Sequence, residues 1–400
     1  MTDAPHAPVS GDPDDRRVAG RLLRDGPPWL DPGKPVPYGH LLASAALLRC
    51  APAAVVSRLA ALGYHEVERP GGPLPEAVAP EDTVLLRPLG KEYDFDWLDV
   101  TAPVPLRQTV VLAEQLGVAP AEVARRLTAL GYHYPAVAGP LPETHDARDV
   151  LLIRTDAKGD GEWLDHGEQA RARHVLDIAT RLKCGPHAAA LRLVALGVRL
   201  PYTPHPDDDR LLGLTGRPGD GLDFAMAAQS PGHVLDAARA TGRRPADVVA
   251  RLAELGCWGT GEVLVPDVPE PDDLVVLSER LDGRAPWLRV NGVVGVALRH
   301  VLRAALVTGR GPAATAERLA ALGHRLHKNA IPPAVADEED IRLLGTVDRS
   351  FLDGVHLEHV LRSASLTCRS PADVAARLTT LGYRLPDEVV YPETRAVPRG

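Results

Sequence analysis

One phrase constrains this chain more than any other feature, because it returns six times with the same internal spacing. The copy at 120–132 reads "PAEVARRLTALGY", and every copy runs from a proline to a glycine eleven residues later. These pairs are Pro52 and Gly63, Pro120 and Gly131, Pro186 and Gly197, Pro245 and Gly256, Pro312 and Gly323, and Pro371 and Gly382. Internal self-similarity of this kind is the signature of repeat proteins. We therefore expect six equivalent units in tandem.

Apolar residues within the phrase fall on one helical face. Leucine stands seven and ten residues after the proline in every copy, as Leu127 and Leu130 do in the second. Proline fits the first position of a helix, because its missing N–H is not needed there and its φ is already helical. Glycine supplies the left-handed residue that ends a helix. The phrase therefore predicts one complete helix per unit.

A second amphipathic helix is predicted just upstream. Twelve residues before each proline lies a histidine or, in the second unit, a glutamine: His40, Gln108, His174, His233, His300 and His359. Five residues further on, every unit has an alanine: Ala45, Ala113, Ala179, Ala238, Ala305 and Ala364. A small side chain at one fixed place lets two helix axes approach closely, so we expect a helical hairpin in each unit.

A looser element precedes the hairpin. It combines an acidic pair, an apolar cluster and a turn followed by an aromatic residue, as in "PDDLVVLSERLDGRAPWL" at 271–288. Tryptophan marks the aromatic place as Trp29, Trp97, Trp163 and Trp287, and Leu222 and Phe351 stand there in the other two units. After the glycine, alternating pieces such as "YRLP" predict a short strand. The fold class is thus mainly α with short β strands (α+β), as a tandem array of six helical-hairpin repeats.

Boundaries are expected in the proline-rich joints between the units. The predicted division is a polar tail at 1–12, repeats at 13–70, 71–138, 139–203, 204–262, 263–329 and 330–388, and a tail at 389–400 that opens a truncated seventh unit.

Charge and motif content exclude several classes of function. The net charge of −8 gives no global attraction to polyphosphate. No GxxxxGK[ST] loop, recurring nucleophile–base grouping or CxxC pair occurs, so we expect no enzyme, no cofactor, no metal site and no small-molecule substrate. No stretch approaches 18 consecutive apolar residues and the first residues are polar, so we expect a cytoplasmic protein without a membrane partner.

The recurring histidines and tryptophans are interpreted as structural markers of the repeat. One imidazole per unit cannot assemble a metal site unless units converge, and Gln108 is a poor zinc ligand. We expect His40, His174, His233, His300 and His359 to pack against the tryptophan of their unit or to cap a helix. The tryptophans are interpreted as core residues, with a ligand platform as the alternative.

An arginine six residues after each proline is the main functional candidate: Arg58, Arg126, Arg192, Arg251, Arg318 and Arg377. The structural interpretation is a bidentate bond to the acidic pair of the same unit or to a carbonyl at a unit joint. The acidic candidates are Asp82, Asp149, Asp209, Asp273 and Asp340. The functional interpretation is a ladder of guanidinium groups that faces phosphates or an acidic partner. The recurrence of the acidic pair favours the structural interpretation.

The segments "DDLVVLSERLDGRAPWL" and "HVLDAARATGRRPADVVARLAELG" together resemble the winged-helix-like repeats of large actinobacterial proteins that also carry Hsp90-type ATPase or other signalling domains. The resemblance covers essentially the whole chain. It implies a repeat array that acts as a sensor, adaptor or nucleic-acid-facing segment in bacterial conflict and immunity systems. Because the chain lacks a recognisable ATPase motif, the resemblance does not carry over an ATP-driven role.

Two hypotheses of function follow. The first is a non-enzymatic tandem-repeat interaction protein, a sensor or scaffold in a bacterial signalling or defence system with a protein partner. The alternative is a DNA- or RNA-binding regulator that uses its winged-helix-like units and the arginine ladder. A reading helix normally exposes basic residues, whereas the second helix here is mostly apolar with one or two arginines.

Overall fold

The computed structural model describes residues 11–20, 22, 29–87, 97–136, 139–155, 161–212, 230–257, 265–266, 268–288, 295–327, 330–345, 355–386 and 389–394. The chain divides into two compact units, Met1–Pro204 and His205–Gly400. Helices account for most of the regular structure, as expected. Leu222 and Phe351, which take the aromatic place in two of the predicted repeats, lie outside the described residues.

Three helices recur in each repeat. A short acidic helix comes first, at Pro13–Ala19, Pro80–Leu86 (a 3-10 helix), Asp149–Leu152, Asp208–Leu211, Asp273–Leu277 and Glu338–Gly345. The first long helix follows at Tyr38–Leu48, Leu106–Leu116, Ala172–Leu182, Pro231–Thr241, Leu298–Thr308 and Leu357–Thr367. The second long helix spans Pro52–Ala61, Pro120–Ala129, Pro186–Ala195, Pro245–Glu254, Pro312–Ala321 and Pro371–Thr380.

The start and stop signals of the second helix are confirmed in all six repeats. Each of these helices begins at the recurring proline. The glycine eleven residues later has a positive φ in every copy, between 74° at Gly256 and 93° at Gly131. This left-handed residue turns the chain back across the end of the helix, so that Tyr132 can donate its N–H to the carbonyl of Leu127 at 3.0 Å.

The two long helices of each repeat pack together, as expected, and in repeat 1 they form a helix-turn-helix. Three residues separate them in each repeat, for example 49–51 in the first. In that repeat the chain bends by 107° between Tyr38–Leu48 and Pro52–Ala61. Crossings near a right angle across a three-residue turn are typical of helix-turn-helix units. The alanine shared by all six first helices is buried in every repeat, as expected for closely packed helices.

The predicted short strands are not confirmed. Among the described residues, the extended segments pair only as isolated bridges. Parallel bridges join Val36 to Val67, Gln169 to Arg199 and Val296 to Leu326. The segment after the glycine soon reaches a proline, such as Pro201, which cannot donate to a ladder. Among the described residues, repeats 1, 3 and 5 therefore each have a minimal wing: a single bridge joins the segment before the first long helix to the segment after the second.

Consecutive repeats within a compact unit share a core. Leu106 and Val110, on the first long helix of repeat 2, belong to the apolar cluster built by repeat 3. In repeat 1, the Tyr38 hydroxyl donates to the carbonyl of Leu130 in repeat 2 at 2.7 Å. The first long helix of each such repeat thus lies between its own partner helices and the next repeat.

Candidate functional site

The recurring arginine lies on the aspartate of the short acidic helix. In repeat 4, Arg251 donates from Nε to Oδ1 of Asp208 at 2.8 Å and from Nη2 to Oδ2 at 2.7 Å. This fork-to-fork arrangement uses both oxygens of the carboxylate. The same bidentate geometry occurs in Arg192 with Asp149, Arg318 with Asp273, and Arg377 with Asp340.

In repeats 1 and 2 the recurring arginine also contacts an aspartate, but with a different geometry. Arg126 directs both Nε and Nη2 to one oxygen, Oδ1 of Asp82, with Nε at 2.8 Å. The acidic helix of this repeat is a 3-10 helix, which places the carboxylate differently. In repeat 1, Arg58 lies between Asp12 and Asp15, with Nε 2.6 Å from Oδ1 of Asp15. Asp12 was predicted to belong to a tail, yet it takes part in this cluster.

The paired aspartate also accepts a hydrogen bond from a backbone N–H, which explains its position at the start of the acidic helix. Oδ2 of Asp273 accepts the backbone N–H of Glu270 at 2.7 Å, and Oδ2 of Asp208 accepts that of His205 at 2.8 Å. The carboxylate therefore fixes the turn that enters the helix as well as the arginine. Both aspartates are 1 % exposed, so each charge needs its partner.

The expected partner in repeat 4 was wrong by one residue. Asp209 was predicted, but Asp208 makes the bidentate pair. The run of three acidic residues at 207–209 left the register ambiguous in the sequence. The helix begins at Asp208 and turns that side chain towards the second long helix, while Asp209 is only half-buried.

The electrostatics of the pair match its geometry. Hydrogen bonding to the aspartate raises the pKa of Arg192, Arg251, Arg318 and Arg377. Burial raises the pKa of the Asp149 carboxyl, and the hydrogen bonds from Arg192 oppose that shift. The ionised carboxylate therefore depends on the guanidinium beside it.

The recurring histidines hold the other end of the acidic helix. Nε2 of His40 lies 2.8 Å from the carbonyl oxygen of Val18, and three other histidines repeat this contact. These are His174 with Leu152 at 2.9 Å, His233 with Leu211 at 2.6 Å, and His300 with Val276 at 2.8 Å. A carbonyl can only accept, so the proton of each neutral ring is on Nε2.

In repeats 2 and 6, a different side chain donates a hydrogen bond to a carbonyl at the end of the acidic helix. Nε2 of Gln108 donates to the carbonyl of Arg87 at 2.6 Å, so an amide replaces the imidazole. In repeat 6, the Ser363 hydroxyl donates to the carbonyl of Leu343 at 3.2 Å and lies 3.3 Å from Nε2 of His359. The substitution of glutamine for histidine fits a hydrogen-bonding role.

The tryptophans are half-buried, and two of them reach the preceding repeat. A Cβ on Gly39 would lie 2.6 Å from the Trp97 ring, and one on Gly232 would lie 2.6 Å from the Trp287 ring. Trp163 instead packs under the Arg154 guanidinium at 3.4 Å, and Trp29 packs on the core of its own compact unit. Sequence reasoning missed these inter-repeat contacts. The signal was a glycine directly before the histidine, which occurs only in repeats 1 and 4.

The exposed face of the second long helix carries little charge. Five, eight and nine residues after the proline, every side chain is exposed. They are Ser57, Ala60, Ala61, Arg125, Thr128, Ala129, Leu191, Val194, Ala195, Ala250, Ala253, Glu254, Glu317, Ala320, Ala321, Ala376, Thr379 and Thr380. Only Arg125 is basic, and it forms ion pairs with Glu122 at 2.7 Å and Glu143 at 3.2 Å. This face is unlike the basic surface of a DNA-reading helix.

The described residues contain no candidate metal site and no single helix that could span a membrane. No group of three or more His, Cys, Asp or Glu side chains there could hold a metal ion. No single helix there is long and apolar enough to cross a membrane, and one bent pair, Tyr38–Leu48 with Pro52–Ala61, has the required length and composition.

Repeated helix-turn-helix units with a minimal wing define a tandem-repeat protein of the winged-helix class. A family model described as "wHTH-Hsp90_Na associated" matches six times in tandem, at 11–64, 77–132, 144–198, 203–257, 268–324 and 335–383. These matches cover most of the chain, which therefore belongs to this family, and the predicted resemblance is confirmed. The family is a repeated domain type and not a known enzyme fold. No curated protein and no solved structure matches the chain.

Proposed function

We propose that this chain is a non-enzymatic scaffold or sensor that binds a protein partner in a bacterial signalling or defence system. The observation that carries the proposal is the use of the recurring polar residues within the repeats. Arg192, for example, is bound to Asp149, and the ring of His174 is bound to the carbonyl of Leu152. Groups of this type would serve as ligand-binding or catalytic residues if they pointed outwards.

Small side chains on the outer face support a protein partner. Alanine and threonine predominate at the exposed positions of the second long helix, as at Ala60 and Thr128. Such a surface permits close approach of another backbone and offers no charge for phosphate binding. The association of the family with Hsp90-type proteins adds support for a role in a larger assembly.

Binding of DNA or RNA is the alternative, and a titration separates the two functions. We expect the full chain to show no saturable polarisation change with a labelled duplex or single-stranded RNA at low salt. The comparison is with Arg251→Ala combined with Asp208→Asn, which removes the cation without leaving a bare buried carboxylate. Tight binding that weakens steeply with salt and is lost in this variant would overturn the scaffold proposal.

A partner experiment gives the positive test. Cross-linking in the native cell followed by mass spectrometry should place a reproducible partner on the outer faces of the repeats, and the purified partner should bind the purified chain. Substitution of exposed alanines by arginine, such as Ala60→Arg and Ala320→Arg, should weaken that complex. Turnover of a nucleotide, peptide or ester by the purified chain, abolished by a point substitution, would contradict a non-enzymatic role.

A further inference from the structure

His166 is a buried histidine in the loop that follows Trp163 of repeat 3. It is 9 % exposed, and neither nitrogen of its ring has a hydrogen-bond partner among the described residues. The same position in repeat 2, three residues after the tryptophan, holds Val100, which is 2 % exposed within an apolar core. Because the fold accepts an aliphatic side chain there, the imidazole costs stability without being needed for packing. Such a group indicates a role other than packing.

The His166 ring lies between two repeats. It meets the ring of Tyr134, in the segment that leaves repeat 2, edge-on with the centroids 5.8 Å apart. It also lies against the end of the second long helix of repeat 3, where a Cβ on Gly197 would be 3.3 Å from Nδ1. The hydroxyl of Tyr134 lies 2.9 Å from Oγ1 of Thr109, on the first long helix of repeat 2. The histidine therefore contacts a side chain that is held by the preceding repeat.

The neighbouring residue, Asp165, binds the same loop to repeat 2. Its Oδ1 accepts the N–H of Leu106, the first residue of a long helix of repeat 2, and the N–H of His166, both at 2.8 Å. A carboxylate is favourable at this positive end of a helix. In repeat 1 the equivalent N–H, that of Tyr38, donates instead to Glu68 of the same repeat at 3.3 Å. Repeat 2 thus takes its helix cap from repeat 3, and we call Asp165 and His166 the joint pair.

The charged groups around the ring compensate an imidazolium poorly. Its own loop contributes Asp165 and Glu168, and the Glu168 carboxylate accepts the N–H of Asp165 at 2.9 Å. The segment after the second long helix contributes Arg199, whose Nε donates to a backbone carbonyl of the loop. Repeat 2 contributes Tyr134, which stays neutral because burial raises its pKa to about 12. Burial lowers the pKa of His166, and the charge of Asp165 opposes that shift.

We infer that the joint pair is a pH-sensitive contact between repeats 2 and 3. Protonation of His166 withdraws its ring from Tyr134 into water, and the loop then takes Asp165 away from the N–H of Leu106. A histidine in water has a pKa of 6.5, so above this value the ring is neutral in both arrangements and the contact is at full strength. As the pH falls below it, the withdrawn ring binds a proton that the packed ring does not, so withdrawal becomes more favourable.

The expected change is local, because the apolar core between the two repeats contains no ionisable group. Leu106 and Val110 of repeat 2 pack there with Leu152 and Ile153 of repeat 3. Acid should therefore release the loop and the start of one helix without unfolding either repeat. The inference goes beyond the proposed scaffold role and does not depend on it, since it makes the joint between two repeats sensitive to acidity whatever the partner is.

Hydrogen–deuterium exchange of the full chain, measured by mass spectrometry on short peptides, tests the inference. Peptides over 104–112 and 163–170 report the helix start and the loop, at about pH 7.5 and about pH 5, with exchange times scaled for the chemical rate. In the wild type we expect both peptides to lose protection at the lower pH. The rise in opening is at most about 30-fold, a limit set by the ordinary pKa of 6.5.

Two substitutions of His166 should abolish the acid response. His166→Phe keeps an aromatic ring against Tyr134, and His166→Val introduces the residue that repeat 2 has at this position. Neither side chain can bind a proton, so we expect the same protection of both peptides at the two pH values. Circular dichroism verifies that each variant is folded.

The matched control removes a different histidine of the same joint. Nε2 of His145, in the linker to repeat 3, lies 2.9 Å from Oε2 of Glu114 on the first long helix of repeat 2. His145→Gln should therefore leave the acid response of both peptides intact.

Equal protection of the wild type at the two pH values would overturn the inference, and so would an acid response that survives in a folded His166 variant. Loss of protection throughout 139–203 would also contradict it, because acid would then unfold repeat 3 as a whole and not release its loop alone.

Discussion

At the scale of single residues, the arginine–aspartate pair is the most consistent polar contact of the molecule. Asp208 has its side chain 2 % exposed, and the side chain of Arg251 is 12 % exposed. A pair buried to this degree contributes little net stability over an apolar pair, yet loss of one partner leaves an uncompensated charge. We therefore expect a large loss of stability when one partner is removed and a small one when both are removed together.

A double-mutant cycle measures that dependence. Arg251→Ala should lower the free energy of unfolding by about 3 kcal/mol, because it leaves the Asp208 carboxylate buried without a cation. In the Asp208→Asn background the same substitution should cost much less, since a neutral amide can still accept the His205 N–H. Urea unfolding of the four variants gives the coupling energy. Equal costs in both backgrounds would contradict a structural pair.

A second residue-scale feature is a histidine at a tyrosine position. His324 follows the glycine of repeat 5, where repeats 1, 2 and 6 have Tyr64, Tyr132 and Tyr383. It is 3 % exposed, and its Nε2 has no hydrogen-bond partner among the described residues. Burial, together with the nearby His300, lowers the pKa of His324 to about 4.

Repeat 5 should therefore lose stability in mild acid. The unfolded chain binds a proton at His324 near pH 6.5, whereas the folded chain does not until about pH 4, so stability falls as the pH drops between these values. The loss at the low end is about 3 kcal/mol. His324→Tyr should flatten the profile and add a bond to the carbonyl of Leu288, as Tyr132 makes to that of Leu98 at 3.3 Å. Thermal unfolding at a series of pH values tests this, and an unchanged profile would count against it.

At the scale of elements, the turn between the long helices carries local strain in half of the repeats. Gly117, Gly242 and Gly309 are left-handed at the first turn position, and Arg49, Lys183 and Cys368 adopt the same conformation with φ near 52°. A side chain in this region clashes with its own backbone, and glycine avoids that cost.

Lys183→Gly should accordingly stabilise repeat 3. We expect a gain of about 0.5–1 kcal/mol, because the relief of left-handed strain exceeds the added freedom of the unfolded chain. The matched control is Gly117→Lys, which should destabilise repeat 2 by a similar amount. A Cβ there meets no atom of the described residues within 4 Å, so only backbone strain is measured. Denaturant midpoints compare the two, and a midpoint lowered by Lys183→Gly would refute the expectation.

The sequence predicted the elements better than their arrangement. Helix ends carry local signals, which is why the helices beginning at Pro52 and Pro120 could be predicted to the residue. The bend of 107° in repeat 1 depends on packing that spans the whole repeat, so the angle between the two long helices could not be predicted from local signals. At the site, the arginine–aspartate contact could be predicted because both residues recur in the repeats. Which aspartate of repeat 4 makes it, Asp208 and not Asp209, depends on the helix register.

At the scale of the whole molecule, charge marks where each compact unit begins. The two residues after the paired aspartate are charged in repeats 1 and 4, as Arg16 with Arg17 and Asp209 with Arg210. In the other four repeats at least one of them is aliphatic: Thr83 with Val84, Val150 with Leu151, Leu274 with Val275, and Ile341 with Arg342. Repeats 1 and 4 are the first repeats of the two compact units. Repeat arrays need polar outer faces at their ends.

We therefore expect division of the chain between residues 204 and 205 to give two stable fragments, and division elsewhere to give less stable ones. We expect 1–204 and 205–400, made as separate chains, to fold and to melt cooperatively. A shorter chain, 1–138, should melt at a lower temperature and bind more of a hydrophobic dye, because Leu106 and Val110 lose the core of repeat 3. Calorimetry and dye binding measure both effects. Identical melting of 1–138 and 1–204 would show that the repeats are independent.

The arginine–aspartate pair also imposes an order on folding during synthesis. Asp149 leaves the ribosome 43 residues before Arg192, and Asp208 leaves 43 residues before Arg251. A nascent repeat thus keeps an unmatched acidic group until its second helix emerges, and only then can its loop close. Within a compact unit, each closed repeat still presents an apolar helix face to the repeat that follows it, so translation delivers a template on which the next segment can condense.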